Sequence, residues 1–364
     1  MDRIAHTLRW FAPLMIALLA CPARGARPWP DSSGRIMAFA DQMPESLSEA
    51  QRQFAATNFA GTQKMRRSQI RAIRNYNSNF LCLHYQLALG CGPANFIIGD
   101  AWTSDWPVVN TKETWFLHNA AERVHQATWN WDVMNVTYTG AVASTPFPPY
   151  WITQTLARIR SAEDDGVFAD SYTIDGLFGQ LNPSHPWFED VGLCTTNWIP
   201  SLNAYGAAIR AAYEADTNGF LFLPNLGALI TGWDTTDYAV GHGGMIEGFA
   251  LWDNGDYFDL ADWQLQMNRA LALVRSNKIV ICQSYTATTN TADRMFATAS
   301  YLLIKGARTY LNLLTVGGLE FYPEYGINLG AALAPPQATV SGCWHAAWGV
   351  YRRDFANGLV VVNP

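Results

Sequence analysis

The chain has 364 residues, of which 49% are hydrophobic, 13% aromatic and only 15% charged. Such a composition buries a large core and excludes a disordered or low-complexity protein. With 24 Lys and Arg against 30 Asp and Glu the formal net charge is -6, so no basic nucleic-acid-binding face is expected. The length fits one barrel-sized domain or two ordinary ones.

Residues 1–26 have the three-part layout of an export leader: Arg3 and Arg9, an apolar run from Trp10 to Ala20, then small residues. Two cleavage points compete. Cleavage after Gly25 implies a secreted or periplasmic protein; cleavage before Cys21 in Leu18-Leu19-Ala20-Cys21 implies a lipid anchor at Cys21 and attachment to the cell envelope. Removing residues 1–25 takes away three arginines and one aspartate and leaves a net charge of -8. Five cysteines then remain, at 82, 91, 194, 282 and 343, with no C-x-x-C spacing to suggest zinc or dithiol chemistry. The sequence leaves open whether Cys82 and Cys91 pair or stay as buried thiols.

Past the leader, strand and helix patterns alternate. Residues 35–41 read as a strand, and Ser46-x-x-Glu49 as a capping box opening a helix to about Asn58. Residues 59–63 form a short second strand, 66–76 a helix and 79–85 a third strand. Residues 87–144 read as a long irregular insertion holding Trp102, Trp106, Trp115, Trp129 and Trp131; insertions of that length are usually functional. A helix over 149–162 leads to strand four at 166–171, and a helix over 199–216 to strand five at 219–225. Strand six spans 244–251. Asp259 caps a helix with Leu260, Trp263, Met267 and Val274 on one face, strand seven is 279–285, a helix over 291–305 stops at Gly306, and strand eight is 309–314. Continuous apolar strands suit a parallel sheet covered on both faces, so the expected fold is an α/β (β/α)8 TIM barrel over 30–335 with a long loop insertion after strand 3. Residues 340–364 read as the start of a C-terminal β element whose partner strands are missing, an expectation of truncation.

In such a barrel the chemistry lies at the C-terminal ends of the strands. Asp41 closes strand one, His84 and Tyr85 strand three, Asp170 and Ser171 strand four, and Asn225 strand five. Glu247 lies on strand six, Gln283 and Tyr285 on strand seven and Asn312 on strand eight. Asp132 sits in Trp131-Asp132-Val133-Met134-Asn135 after strand three. A carboxyl group inside an apolar strand is costly unless it is paired or functional. Asp170 and Glu247 are therefore the strongest candidates, against the plainer reading of each as a buried ion-pair partner or helix cap. Asp175 begins an Asp-Gly turn and is expected to shape the loop after strand four.

Competing chemistries lack their signatures. There is no G-x-S-x-G elbow, no H-E-x-x-H, no P-loop and no G-x-G-x-x-G. Gly241-His242-Gly243-Gly244 has the look of an oxyanion loop but no serine elbow to serve, and no cofactor or metal is expected. Two carboxyl groups in one cleft are what hydrolysis of a glycosidic bond requires, one protonated and one ionised. Glu247, between Ile246 and Phe249, suits the acid because desolvation favours its neutral form. Asp170, beside Ser171 and Tyr172, suits the nucleophile or base. Trp102, Trp106, Trp131 and Trp233 lie in expected loops and are assigned to the cleft, because indole faces stack on the C–H faces of pyranoses. Asp41, His84, Asp132, Asn225, Gln283 and Tyr285 are assigned to sugar hydroxyls.

The set Phe54-Ala-Ala-Thr57, Gly61-Thr-Gln-Lys64, Trp131-Asp-Val-Met-Asn135, Asp165-Gly-Val-Phe-Ala-Asp170, Met245-Ile-Glu247-Gly-Phe249 and Tyr322-Pro-Glu324-Tyr resembles hypothetical glycosyl hydrolase family fifteen. Its wider relatives are barrels of the α-galactosidase and endo-α-1,4-polygalactosaminidase type. The resemblance spans about residues 35–364. It implies a nucleophile or base at the end of strand four, Asp170, and a second acidic group on strand six, Glu247. The implied partner is a poly- or oligosaccharide; net acidity favours a neutral or cationic glycan over a polyanion. The alternative class is a non-catalytic carbohydrate-binding surface protein on the same barrel.

Overall fold

The structure is a computed structural model that describes residues 27–93, 105–314 and 318–364. The expected leader, with Cys21, and Trp102 lie outside the described residues. Eight parallel strands form one sheet: β1 (Ala38–Gln42), β2 (Phe59–Gln63), β3 (Leu81–Leu87), β4 (Gly166–Asp170), β5 (Leu221–Pro224), β6 (Gly243–Glu247), β7 (Ile279–Tyr285) and β8 (Thr309–Leu314). Neighbours follow sequence order from β1 to β5 and from β6 to β8, with β8 against β1. A parallel bridge between Asn225 and Met245 joins β5 to β6 and closes the ring. The (β/α)8 expectation holds.

Period-two alternation decides what the barrel does with each residue. Phe39, Leu83, Phe168, Leu223, Met245, Ile281 and Tyr310 pack against one another as the barrel interior. The alternate residues, such as Ala38, Cys82, Val167, Phe222, Ile246 and Val280, pack outward in the cores beneath the helices. On β4, β5, β6 and β7 the next inward position toward the C-terminal end is therefore Asp170, Asn225, Glu247 and Gln283, with Tyr285 one step further.

Six helices of eight or more residues cover the barrel. The first, Glu49–Asn58, is capped by Ser48 with Gln51 reaching back to its N–H, so the capping box lies two residues beyond the Ser46 frame. Asp259 caps Leu260–Arg275 as expected, although Leu260 itself is exposed while Trp263 and Met267 are buried. Between β5 and β6 a short 3-10 turn, Tyr238–Val240, takes the place of a helix.

The insertion after β3 is less irregular than its sequence reads. Gly90–Cys91, His125–Gln126 and Trp131–Val133 make a small antiparallel sheet, with further two-residue hairpins at 118–123 and 138–143. Strand six is shorter than expected. Gly248 and Ala250 take φ of 74° and 66°, which ends β6 at Glu247, and Leu251–Asp253 turns back against Asp256–Tyr257. At the C-terminus Trp344–His345, Val350–Phe355 and Gly358–Val362 form a three-stranded antiparallel sheet, so the last strand has a partner, contrary to expectation. Tyr351 packs on Trp263, and Arg353 donates to the carbonyls of Leu302, Leu303 and Lys305 where the Thr291–Ile304 helix ends. The cysteines at 82, 91, 194, 282 and 343 are buried free thiols.

Candidate active site

The inward strand ends converge on the floor of a cleft of about 1020 Å³. Asp170 is held from three sides. Tyr85 Oη donates to its Oδ2 at 2.5 Å, Asn225 Nδ2 to its Oδ1 at 2.8 Å, and the Ser171 N–H to the same Oδ1 at 2.8 Å. The last bond exists because Ser171 turns into the left-handed region, φ 55°, directly after the strand. Such conformations cluster where a side chain has to be aimed.

Glu247 faces it. The same Asn225 Nδ2 donates to Glu247 Oε2, and Tyr285 Oη donates to Oε1. Burial raises the pKa of Glu247 above the ordinary carboxylate value, and the nearby charge of Asp170 adds to the effect, while the bonds from Tyr285 and Asn225 oppose it. Burial likewise drives Tyr85 and Tyr285 well above the usual phenol range, reinforced by Asp170 and Glu247 respectively, so both stay hydrogen-bond donors.

Opposite Asn225 lie Asp41 and Lys64. Asp41 is buried and accepts from Gln63 Nε2 and from Lys64 Nζ, the latter at 2.9 Å. Lys64, with φ 58°, carries its ammonium over the Tyr85 ring at 5.0 Å from the centroid. Burial works against that charge, but Asp41, Asp170 and Glu247 together outweigh it and raise the pKa of Lys64.

Aromatic walls rise from this floor. Trp129 and Trp131 come from the insertion, Trp233 with Phe178 from the loops after β5 and β4, and Trp252 with Phe258 from the segment after β6. Trp131 lies flat on Gly90, where any Cβ would sit 2.1 Å from its ring. Trp233 meets Phe178 edge to face at 4.8 Å. Trp252, 46% exposed, lies against Gly248 beside Glu247 and edge-on to Tyr285.

Of the residues singled out from sequence, the structure gathers Asp41, Trp131, Asp170, Asn225, Trp233, Glu247 and Tyr285 around this cleft. Four others go elsewhere. His84 points out of the barrel, because Leu81, Leu83 and Tyr85 take the inward positions on β3; its Nδ1 lies 3.4 Å from buried Asp164. Asp132 is on the face opposite Trp131 and pairs with His125 at 2.8 Å and Arg123 at 3.2 Å. Trp106 packs on Phe116 beside Arg123, away from the cleft lining. Gln283 is inward but covered, receiving Asn312 and donating to Tyr285 at 3.3 Å, so it orients Tyr285 rather than reaching the cleft. Lys64, Trp129, Asp175, Trp252 and Asp256 line the cleft without having been assigned to it. Among the described residues no group of three His, Cys, Asp or Glu is placed to hold a metal ion.

The family described as hypothetical glycosyl hydrolase family 15 matches residues 74–359. The chain belongs to that glycosyl hydrolase family. Its match covers β3 to β8, with Asp170 and Glu247, and begins after Asp41 and Lys64. Among solved structures, the glycoside hydrolase domain of PelA from Pseudomonas aeruginosa is similar over 79% of this chain and 96% of that one, at 12% identity and a TM-score of 0.47. No curated protein matches the chain.

Proposed function

We propose that this member of the family is an exported glycoside hydrolase, with Glu247 as general acid and Asp170 as nucleophile, acting on a poly- or oligosaccharide laid along the aromatic cleft. The observation that carries the reading is that one amide, Asn225 Nδ2, bonds both carboxyl groups on the cleft floor. Desolvation and the Asp170 charge favour a proton on Glu247, which it gives to the leaving oxygen. Asp170, held by three donors, is aimed to attack the anomeric carbon from the other side.

The shared amide also supports a stereochemical assignment. Two oxygens bonded to one nitrogen lie within two hydrogen-bond lengths, about 6 Å at most. That favours the close spacing of retaining enzymes, about 5–5.5 Å, over the roughly 6.5–9.5 Å that leaves room for an attacking water. A covalent glycosyl–Asp170 intermediate follows, and Glu247, deprotonated by the first step, activates the water that releases it.

The cleft carries Asp41, Asp170, Asp175, Glu247 and Asp256 against Lys64 as its one cation among the described residues, which supports a neutral or cationic glycan. Export rests on the leader pattern of residues 1–26, and the N-terminal sequence of the mature protein distinguishes cleavage after Gly25 from a lipid-bearing Cys21. The enzymatic reading is tested by incubating the purified protein with neutral, amino-sugar and uronic-acid polysaccharides and following new reducing ends. Release from a neutral or amino-sugar polymer, with the first-formed anomer in proton NMR matching the bond cleaved, is expected. No release from any polymer would leave the non-catalytic binding reading in its place.

A further inference from the structure

Three carboxyl groups, Asp41, Asp170 and Glu247, share the floor of the cleft, and among the described residues Lys64 is the single ammonium that faces them. Its place is fixed from several directions: an ion pair at 2.9 Å to Asp41, the Tyr85 ring at 5.0 Å, the Phe168 ring at 5.8 Å, and a left-handed backbone that turns the chain at the end of β2. Its side chain is only 16% exposed, so water does little to screen its charge. Tyr85, over which it lies, is the residue that donates to Asp170.

We propose that Lys64 is the charge-balancing residue of the Asp170–Glu247 pair, a positioning residue whose ammonium offsets the carboxylate charge that Glu247 meets on the cleft floor. The inference rests on the glycosidase reading for its meaning but not for its physics. Glu247 is faced by Asp170 on β4, Asn225 on β5, Tyr285 on β7, Tyr85 on β3, Asp41 on β1 and Lys64 beyond β2. Apart from Lys64 every titratable member of that set is an acid. Burial and the neighbouring carboxylates Asp170 and Asp41 raise Glu247; the Lys64 ammonium, which Glu247 favours in turn, opposes them, so that without it Glu247 rises further. A general acid pushed further above the working pH gives up its proton less readily. Asp41 has the opposite sign and the opposite effect: it raises Glu247 and anchors Lys64.

The test needs no substrate. In protein labelled with 13C at glutamate carboxyls, the resonance missing from Glu247→Gln is followed through a pH titration. Lys64→Met is expected to move its midpoint up by about one pH unit, Asp41→Asn to move it down, and Lys64→Arg to leave it near wild type. An unmoved midpoint in Lys64→Met, with Lys64→Arg equally folded by circular dichroism, overturns the proposal, as does a shift of the same sign in Lys64→Met and Asp41→Asn. Once a substrate is in hand, the basic limb of the pH–rate profile, where the general acid loses its proton, should move up by a similar amount in Lys64→Met and return in Lys64→Arg. If the titration shifts as described while no glycan is cleaved, the charge balance stands and the glycosidase reading fails.

Discussion

The raised pKa of Glu247 links the candidate site to the stability of the fold. A carboxyl whose pKa is raised by burial favours folding while it is protonated, and that contribution is lost as pH rises through its native value. Each unit of separation between native and unfolded pKa is worth about 1.4 kcal/mol. Glu247→Gln removes the titration, so the melting temperature of the variant minus that of wild type should grow as pH rises above the ordinary carboxylate range and be flat below it; a difference independent of pH contradicts the raised value. Asp170 and Glu247 were legible in the sequence because carboxyls in apolar strands stand out. Lys64 was not, because a lysine closing a short strand looks like any solvated end. His84 and Tyr85 adjoin, and only the period set by Leu81 and Leu83 tells which one turns inward. The same alternation separates Trp131 from Asp132.

At the scale of elements, the segment after β6 shows what the sequence hid. Residues 244–251 look like one apolar strand, yet Gly248 and Ala250 break it at Glu247, and Asn254-Gly255 is a hairpin signal that fits the turn between Leu251–Asp253 and Asp256–Tyr257. The hairpin is tied down by Asp293, which accepts from the Gly255 N–H at 2.7 Å and from Tyr257 Oη. Gly248 and Gly255 have nearly equal φ, 74° and 76°, but a Cβ on Gly248 meets the Trp252 ring at 2.1 Å whereas one on Gly255 meets nothing within 4 Å. Gly255→Ala should therefore cost only the backbone term, about 1 kcal/mol. Gly248→Ala should cost about 2–3 kcal/mol in denaturant unfolding and weaken oligosaccharide binding, because Trp252 leaves its place beside Glu247. Equal losses would show that Trp252 does not depend on that glycine.

For the whole molecule, the barrel was readable from strand spacing, while the docking of its C-terminal sheet depends on contacts distant in sequence, Tyr351 on Trp263 and Arg353 on the carbonyls of Leu302, Leu303 and Lys305. Asn225 bridges to Met245 at the last joint of the ring and bonds both carboxyls, so closure and site assembly meet in one residue. The sheet over 344–362 buries Tyr351, Phe355, Val360 and Val362 in the core that holds Trp263 and Met267. Each such side chain contributes about 1.5–3 kcal/mol, a sum comparable with the 5–15 kcal/mol that holds a typical domain together. Deleting residues 344–364 should abolish cooperative unfolding in calorimetry; a truncated chain that melts like the full one would make the sheet an independent appendage.

The division of labour between Asp170 and Glu247 is tested most directly by turnover on the polysaccharide that wild type cleaves, measured for Asp170→Asn and Glu247→Gln after both are shown to be folded. Each substitution is expected to lower the rate by about 10²–10⁴-fold, and added azide should restore cleavage in one of them with a glycosyl azide as product. A rate above a tenth of wild type in either variant would contradict the assignment.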